Sequence, residues 1–397
     1  MKQPKLLIFS SLFPSQQRPN AGIFIRERMF RVGQQIPLTV VSPVPWFPLD
    51  CIIRYWKPGF RLKPDYREEQ NGVTIFYPRF FSIPVLFKSC DGFFMALGSL
   101  PTLMRLRSQF NLIDAHFAYP DGYAATLLGK WFKVPVTITL RGTEVPLSKM
   151  PGRKSRMLAG LKAATRIFSV SESLKQYVGS LGAETEKICV VGNGVDVTKF
   201  YPLDKQSARV KLDLPESAKV LISVGGLVDR KGFHRVLEVL PDLIAQYPNL
   251  IYLIVGGESP EGNIRLQLEN QVTALHLEDH VRFLGAYPSE KLNIPLSASD
   301  LFVLATANEG WANVFLEAMA CGLPVITTDV GGNQEVVKNN RLGRVVPFGD
   351  SALLLAALSE SLGVDWDTWA IIQYAMDNAW ETRVTVLIKE FQKAVNP

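Results

Sequence analysis

A chain of 397 residues is longer than one ordinary hydrophobic core organises, and two domains are the first expectation. A composition of 47% hydrophobic and 20% charged residues excludes an intrinsically disordered protein, and no uninterrupted apolar run is long enough to cross a bilayer as a helix. The net charge of +6 conceals an asymmetry: residues 1–200 carry 27 Lys/Arg against 13 Asp/Glu, a net +14, leaving 16 against 24, a net −8, for the remainder.

Lys5 to Phe13 combines a basic flank with a short apolar run. Pro14 and polar residues follow it in place of a small-residue cleavage site, so Leu6 to Phe9 reads as a first strand and not as an export signal. Further strands are predicted at Leu38–Val41, Leu112–Ala115, Val136–Leu140 and Arg166–Val170. Segment 42–110 is irregular, proline-rich and aromatic. Its basic residues alternate with exposed-looking rings at Trp46-Phe47, Arg54-Tyr55-Trp56-Lys57, Arg79-Phe80-Phe81, Phe87-Lys88 and Phe93-Phe94, and Lys149 to Arg156 adds an acid-free basic cluster. Such a surface suits an anionic membrane or a lipid phosphate, the plainer reading being a solvated face over a few core aromatics. No RNP, KH or zinc-finger pattern accompanies the charge, so nucleic acid is not expected as a partner. Cys51, Cys90, Cys189 and Cys321 are scattered, with no Cys-x-x-Cys pair and no His at metal spacing, which suits reduced thiols in a cytoplasmic enzyme.

In the second half, strands are predicted at Val220–Val224, Ile251–Val255, Val281–Leu284, Leu301–Leu304, Val325–Thr328 and Arg344–Val346. Strands alternating with helix-length amphipathic stretches argue for parallel βαβ units. The boundary is expected within Asn193–Asp204, dividing the chain into 1–197, 198–375 and a terminal helical segment 376–397. Helices over 366–395 carry Trp366, Trp369, Trp380 and Phe391, aromatics that need a surface to pack on.

Special residues gather at the predicted strand ends, where open α/β sheets bind ligands and where helix N-termini attract phosphate. Glu309 lies in the loop after Leu301–Leu304, and Glu317 about one turn into the following helix, Asn313–Cys321, which Gly322 and Pro324 stop. Gly225-Gly226 and then Lys231-Gly232 follow one strand, Gly256-Gly257 another, and Gly331-Gly332 a third. Glycine at such turns is expected to let backbone approach a ligand, and a lysine at a helix start to neutralise phosphate. In the first half His116 and Arg141 follow strand ends and are expected to face one crevice. Gly22 is a further candidate for phosphate approach, although no Gly-x-Gly-x-x-Gly pattern surrounds it, which weakens a dinucleotide oxidoreductase reading.

Glu309-x7-Glu317 with Ala318 to Val325, then Gly331-Gly332 and Glu335, resembles the donor-site signature of glycosyltransferase family 4, the retaining group 1 transferases. Val191-Gly-Asn-Gly-Val-Asp196 with Phe200, and Val224 to Gly232, match further segments of the family in order, so the resemblance covers nearly the whole chain and is weakest in 42–110. It implies an α/β GT-B fold, two Rossmann-like doubly wound parallel-sheet domains facing a cleft, with the final helix crossing back onto the first. By position it implies that Glu317 holds the ribose of a nucleotide sugar, that Glu309 lies near sugar and phosphates, and that Lys231 counters the diphosphate. The backbone around Gly310, Trp311, Ala312 and Asn313 would bind that diphosphate, and His116 would sit beside the transferred sugar.

No metal or cofactor is implied, because the lysine and the helix start replace a divalent ion. Two positions depart from the family. Gly226 stands where an arginine is common, Arg230 being the residue expected to supply the charge, and Arg141-Gly-Thr-Glu144 replaces His-Gly-x-Asp. The resulting expectation is a transferase, cytoplasmic and peripheral on the inner face of the plasma membrane, that adds sugar to a glycan or lipid-linked acceptor in cell-surface polysaccharide assembly. A nucleotide-sugar epimerase of the same fold and a non-catalytic nucleotide-sugar-binding partner protein are the alternatives.

Overall fold

The computed structural model describes residues 2–19, 21–57, 59–259 and 261–396. The chain forms two compact units, Met1–Asn193 with Arg383–Pro397, and Gly194–Thr382. These divisions fall at 193 and 383, not at 197 and 376, because two backbone bonds fasten the intervening residues to the second unit. Val195 N–H donates to the Asn378 carbonyl, and Trp380 N–H donates to the Val195 carbonyl.

Ten strands belong to the first unit: β1 (Leu6–Phe9), β2 (Leu38–Val41), β3 (Val44–Trp46), β4 (Arg67–Gln70), β5 (Val73–Phe76), β6 (Arg79–Phe81), β7 (Leu112–His116), β8 (Val136–Leu140), β9 (Arg166–Ser169) and β10 (Ile188–Val190). Eight make one sheet in the order β10-β9-β8-β7-β1-β2-β5-β4, parallel except where β4 runs against β5, and β3 pairs with β6 separately. Every residue of β1, β7 and β8 is buried, as in parallel sheets covered on both faces, whereas the Arg-Glu-Glu-Gln of β4 lies at the sheet edge, where charge is tolerated. Ser171 starts helix Glu172–Ser180 by accepting the Leu174 N–H at 3.2 Å, which satisfies one of the orphan donors of its first turn.

Residues 383–396 join this core, where Val384, Leu387 and Phe391 pack with Leu6, Ile25 and Phe168, and the Phe391 and Phe168 rings meet edge-on at 5.5 Å. Of the four terminal aromatics, Trp366, Trp380 and Phe391 find packing, but Trp369 is 69% exposed and packs on nothing of consequence. Among the rings expected at the surface, Phe80 is instead buried, while Tyr55, Trp56, Phe87 and Phe93 are exposed.

The second unit holds β11 (Lys219–Val224), β12 (Leu250–Val255), β13 (Val281–Gly285), β14 (Leu301–Leu304), β15 (Val325–Thr328) and β16 (Gly343–Val346) in one parallel sheet ordered β13-β12-β11-β14-β15-β16. Alternate side chains enter opposite cores: Ile251, Leu253 and Val255 of β12 pack on one face, and Leu250, Tyr252 and Ile254 on the other. This is the doubly wound order, and it reverses between β11 and β14, the position at which open α/β sheets bind ligands. Among the described residues no helix is long and apolar enough to cross a membrane, and no disulfide joins the four cysteines.

Candidate active site

The loops that leave β11 and β14 are stitched together across this reversal. The Ala307 N–H and the Thr306 hydroxyl both donate to the Arg230 carbonyl, at 2.7 and 2.9 Å. That brings Lys231 Nζ to 2.6 Å and Arg230 Nη1 to 3.1 Å from one oxygen of Glu309, Oε1, which lies 3.3 Å from the Thr306 hydroxyl oxygen. Arg230 also grips Glu261, Nη2 donating to Oε1 at 2.8 Å. The side chain of Arg230 therefore does reach the site from which Gly226 withholds a charge. Lys231 and Arg230 are thus balanced by Glu309 and Glu261, with both cations sharing one oxygen of the largely buried Glu309 at the switch point.

The glycines act differently from what their positions suggest. A Cβ on Gly256, at φ 156°, would strike the Gly225 carbonyl, and one on Gly331, at φ 53°, would strike the Glu309 carbonyl. These glycines let backbone approach backbone, and so fix the loops that carry Lys231 and Glu309, where a ligand contact was expected. Gly225 also provides the bed for the Lys231 stem, since a Cβ there would lie 3.4 Å from the Lys231 Cε. Gly22, in the first unit, starts helix Ile23–Gly33 at φ 70° with its missing Cβ directed at the Leu12 carbonyl, so the same correction applies to it.

Helix Asn313–Ala320 begins beside Glu309. Ala312 precedes it without a side-chain cap, and its first turn contains no acidic residue. Amides left uncapped in this way, with Gly310, Trp311 and Asn313 around them, make an anion-accepting terminus. The Trp311 indole N–H is buried with no hydrogen-bond partner among the described residues. Glu317 lies on the same helix. Burial pushes its carboxyl up to about 7, against the pull of Lys199 and Lys231. Among the described residues no group of three or more His, Cys, Asp or Glu is placed to hold a metal ion.

In the first unit, β7 extends one residue further than expected and takes His116 into the sheet. His116 is wholly buried. Its Nδ1 accepts from Arg141 Nη2 at 3.0 Å and Nε at 3.2 Å, which fixes the proton on Nε2, 3.4 Å from Asp114 Oδ2. Burial and the Arg141 and Arg28 charges hold the imidazole well below its ordinary pKa, hence neutral. Burial raises Asp114 to about 6, while the Thr137 hydroxyl donates to it at 2.6 Å. The ring is inaccessible in this structure and holds Arg141 through Nδ1, while Nε2 finds no hydrogen-bond partner among the described residues. Arg141 is only partly buried; it donates to Asn193 Oδ1 at 3.2 Å and lies 4.9 Å from the Phe24 ring centre. Glu144, which stands where the family has Asp, holds the turn by accepting the backbone N–H groups of Ala118, Arg141 and Gly142. Thr306 and Glu261 were missed from sequence. Thr306 carried a signal as the second residue past β14, whereas Glu261 carried none.

Two doubly wound units, one with Lys231 and Arg230 at its switch point, define the GT-B class of sugar-transferring enzymes. The family model "Glycosyl transferases group 1" matches residues 204–365, and that of "Glycosyltransferase Family 4" matches residues 58–199. The chain belongs to glycosyltransferase family 4, the group 1 transferases. A Bacillus subtilis protein named as a teichuronic acid biosynthesis glycosyltransferase is 27% identical over 83% of this chain and 82% of its own length. In fold, the chain is similar to sucrose-phosphate synthase from Thermosynechococcus elongatus, with a TM-score of 0.76 and 22% identity over 99% of both chains. It is also similar to an Anabaena protein solved with UDP, with a TM-score of 0.74 and 17% identity over 98% of this chain and 100% of that one.

Proposed function

We propose that this glycosyltransferase moves a sugar, with retention of configuration, from a nucleoside diphosphate donor to a glycan or lipid-linked acceptor in the assembly of a cell-surface polysaccharide. The observation that carries the reading is the convergence of Lys231 and Arg230 on a single oxygen of Glu309 beside an uncapped helix start. In the transfer the bond between the anomeric carbon and the β-phosphate oxygen breaks, and the nucleoside diphosphate leaves with the electron pair. The acceptor oxygen bonds to that carbon, and its proton passes to the departing phosphate.

Charge develops on the diphosphate as it leaves. Lys231 and Arg230, with the amides at Gly310 to Asn313, are set to meet it, so no metal ion or other cofactor is assigned. Glu309 orients Lys231, and Glu317 in its ionised form accepts the ribose hydroxyls. Arg141 serves the acceptor, held in place by His116. The relative named for teichuronic acid biosynthesis supports polysaccharide assembly, and the neighbour solved with UDP supports a nucleoside diphosphate donor. The net +14 of residues 1–200 supports peripheral attachment to an anionic membrane at its cytoplasmic face.

Saturation-transfer NMR against UDP-, GDP-, ADP- and TDP-sugars without metal tests the reading. Selective binding of one donor that disappears in Lys231→Ala and Glu317→Ala is the expected result. No binding to any of them rejects it.

A further inference from the structure

The first unit contains a chamber of about 250 Å³ of mixed lining, whose polar wall residues include Ser11, Ser42, Ser82, Arg18, Arg61 and Lys88. Next to it lies an apolar chamber of about 220 Å³ formed chiefly by Phe81, Ile83, Phe87 and Phe94. Both chambers share Ser82 and Asp91 as wall residues. Each alone is smaller than the ~300–1,000 Å³ of an ordinary ligand site, and joined they reach that range.

The junction is cationic. Arg61 Nη1 donates to the Ser82 carbonyl at 2.6 Å and Nη2 to its hydroxyl at 3.2 Å, while Lys88 Nζ donates to the same hydroxyl at 2.7 Å. Asp91 accepts from Lys88 at 3.1 Å, and Asp50 lies 3.5 Å from Arg61. Arg18 also lines the chamber, whose wall thus carries three cations and the carboxylate of Asp91, with Asp50 behind Arg61, a surplus that favours a bound anion.

The surroundings are built for lipid. Between β6 and the turn at Lys88, the chain exposes Val85, Leu86 and Phe87, with Val85 86% and Phe87 70% accessible. Val85 and Phe87 both have left-handed backbones, at φ 68° and 52°, a conformation that costs energy for a β-branched and an aromatic residue. Helix Asp50–Trp56, tied to Ser82 through Asp50 and Arg61, exposes Ile52, Tyr55 and Trp56, with Arg54 among them. Aromatic and basic residues mixed in this way are characteristic of surfaces that rest in a headgroup layer.

We infer that the acceptor is an amphiphile, a lipid-linked phosphate whose phosphate rests on Arg61 and Lys88 about Ser82, whose polar end enters the serine-lined chamber, and whose hydrocarbon leaves along Phe81 and Phe94. This rests on the transferase reading and narrows its acceptor to one class. The Val85–Phe87 crest then sits in the membrane interface, and the lipid need not leave the bilayer entirely to be bound.

Co-sedimentation of the full chain with phosphatidylcholine vesicles is the test, one set carrying a polyprenyl phosphate, a second carrying phosphatidic acid and a third carrying neither, with a water-soluble hexose phosphate as competitor. Binding to the polyprenyl phosphate vesicles should be about tenfold tighter than to the phosphatidic acid vesicles, and should fall about tenfold in Lys88→Gln while surviving in Lys88→Arg. Phe94→Ser should weaken the polyprenyl arm alone. Equal binding to both anionic vesicles overturns the inference in favour of a general basic surface, and full competition by hexose phosphate overturns the lipid part. If Lys88→Gln lowers the thermal midpoint, Arg18→Gln on the exposed rim takes its place and must show the same selective loss. Titration of UDP, GDP, ADP and TDP into the same preparations separates the two failures. Donor binding without polyprenyl phosphate selectivity rejects only this inference, whereas absence of donor binding rejects the transferase reading beneath it.

Discussion

Along β7 and β8, Arg141 donates to His116 and Thr137 to Asp114, and the buried His116 keeps an Nε2 without a hydrogen-bond partner among the described residues. At the ends of β11 and β14, Lys231 and Arg230 converge on one oxygen of Glu309, and Arg230 reaches outward to a half-exposed Glu261. Each cluster includes a strand end of the kind doubly wound sheets reserve for ligands, yet His116 of the first is wholly buried, whereas the Arg230 side chain of the second is 35% accessible. Position in the fold thus nominates a site, and access selects between nominees.

The sharpest way to break this comparison is to neutralise a cation in each cluster. Lys231→Ala removes charge from the open cluster, where it is directed at a leaving diphosphate. Turnover should fall about 10²- to 10³-fold, while stability moves by less than about 1 kcal/mol because Arg230 still answers Glu309. Steady-state rates together with a urea melt check both halves. Arg141→Met should divide its effect differently. By depriving the buried His116 Nδ1 of its donor it should cost about 2 kcal/mol of stability in the melt, and, since Arg141 is proposed to serve the acceptor, the acceptor KM should rise while donor binding is kept. Equal loss of activity in both variants with no change in either melt would show that the sealed cluster is catalytic after all.

The second unit was legible because parallel strands covered on both faces are continuous apolar runs, and β11, β12, β14 and β15 read as such to within a residue. Segment 42–110 was not, for two local reasons. β4 is Arg-Glu-Glu-Gln at an edge, with no apolar period, and β3 contains Pro45 and pairs with β6 across more than thirty residues of intervening chain. In the site, Glu309, Glu317 and Lys231 were legible from their offsets past strand ends. The glycines were legible as special but not in purpose, since sequence does not distinguish a backbone that approaches a ligand from one that approaches its neighbour. The sealing of His116 depended on β7 running one residue longer, a boundary that hydrophobic period does not resolve.

A pH profile sharpens the comparison further. Burial raises Glu317 from the usual 4.5 to about 7. Between those values the folded chain holds a proton that the unfolded chain has lost, so this carboxyl lets stability fall as pH rises through that window. Nucleoside binding has the opposite slope, because the ionised carboxylate is the form that accepts two ribose hydroxyls. Affinity for the bound nucleotide sugar should rise about tenfold from about pH 6 to about pH 8 and then level, and Glu317→Gln should flatten the curve. A flat profile in the unaltered chain would remove Glu317 from the ribose.

The smallest effect probes how Arg230 divides itself between Glu261 and the site. The pair is exposed, with Glu261 half accessible, and an exposed pair contributes only about 0.2–1 kcal/mol. Glu261→Gln should therefore leave the melt within about 0.5 kcal/mol. Its influence should appear in binding, because Glu261 competes with the diphosphate for one guanidinium. Releasing Arg230 from that competitor should tighten UDP by about two- to threefold, the range a partly screened charge commands. Calorimetric titration at low and high salt distinguishes this from chance, since a gain arising from freed charge shrinks as ionic strength rises. If affinity is unchanged at both, Arg230 serves to brace Glu309 and does not reach the phosphates, and Lys231 with the helix start carries the anion alone.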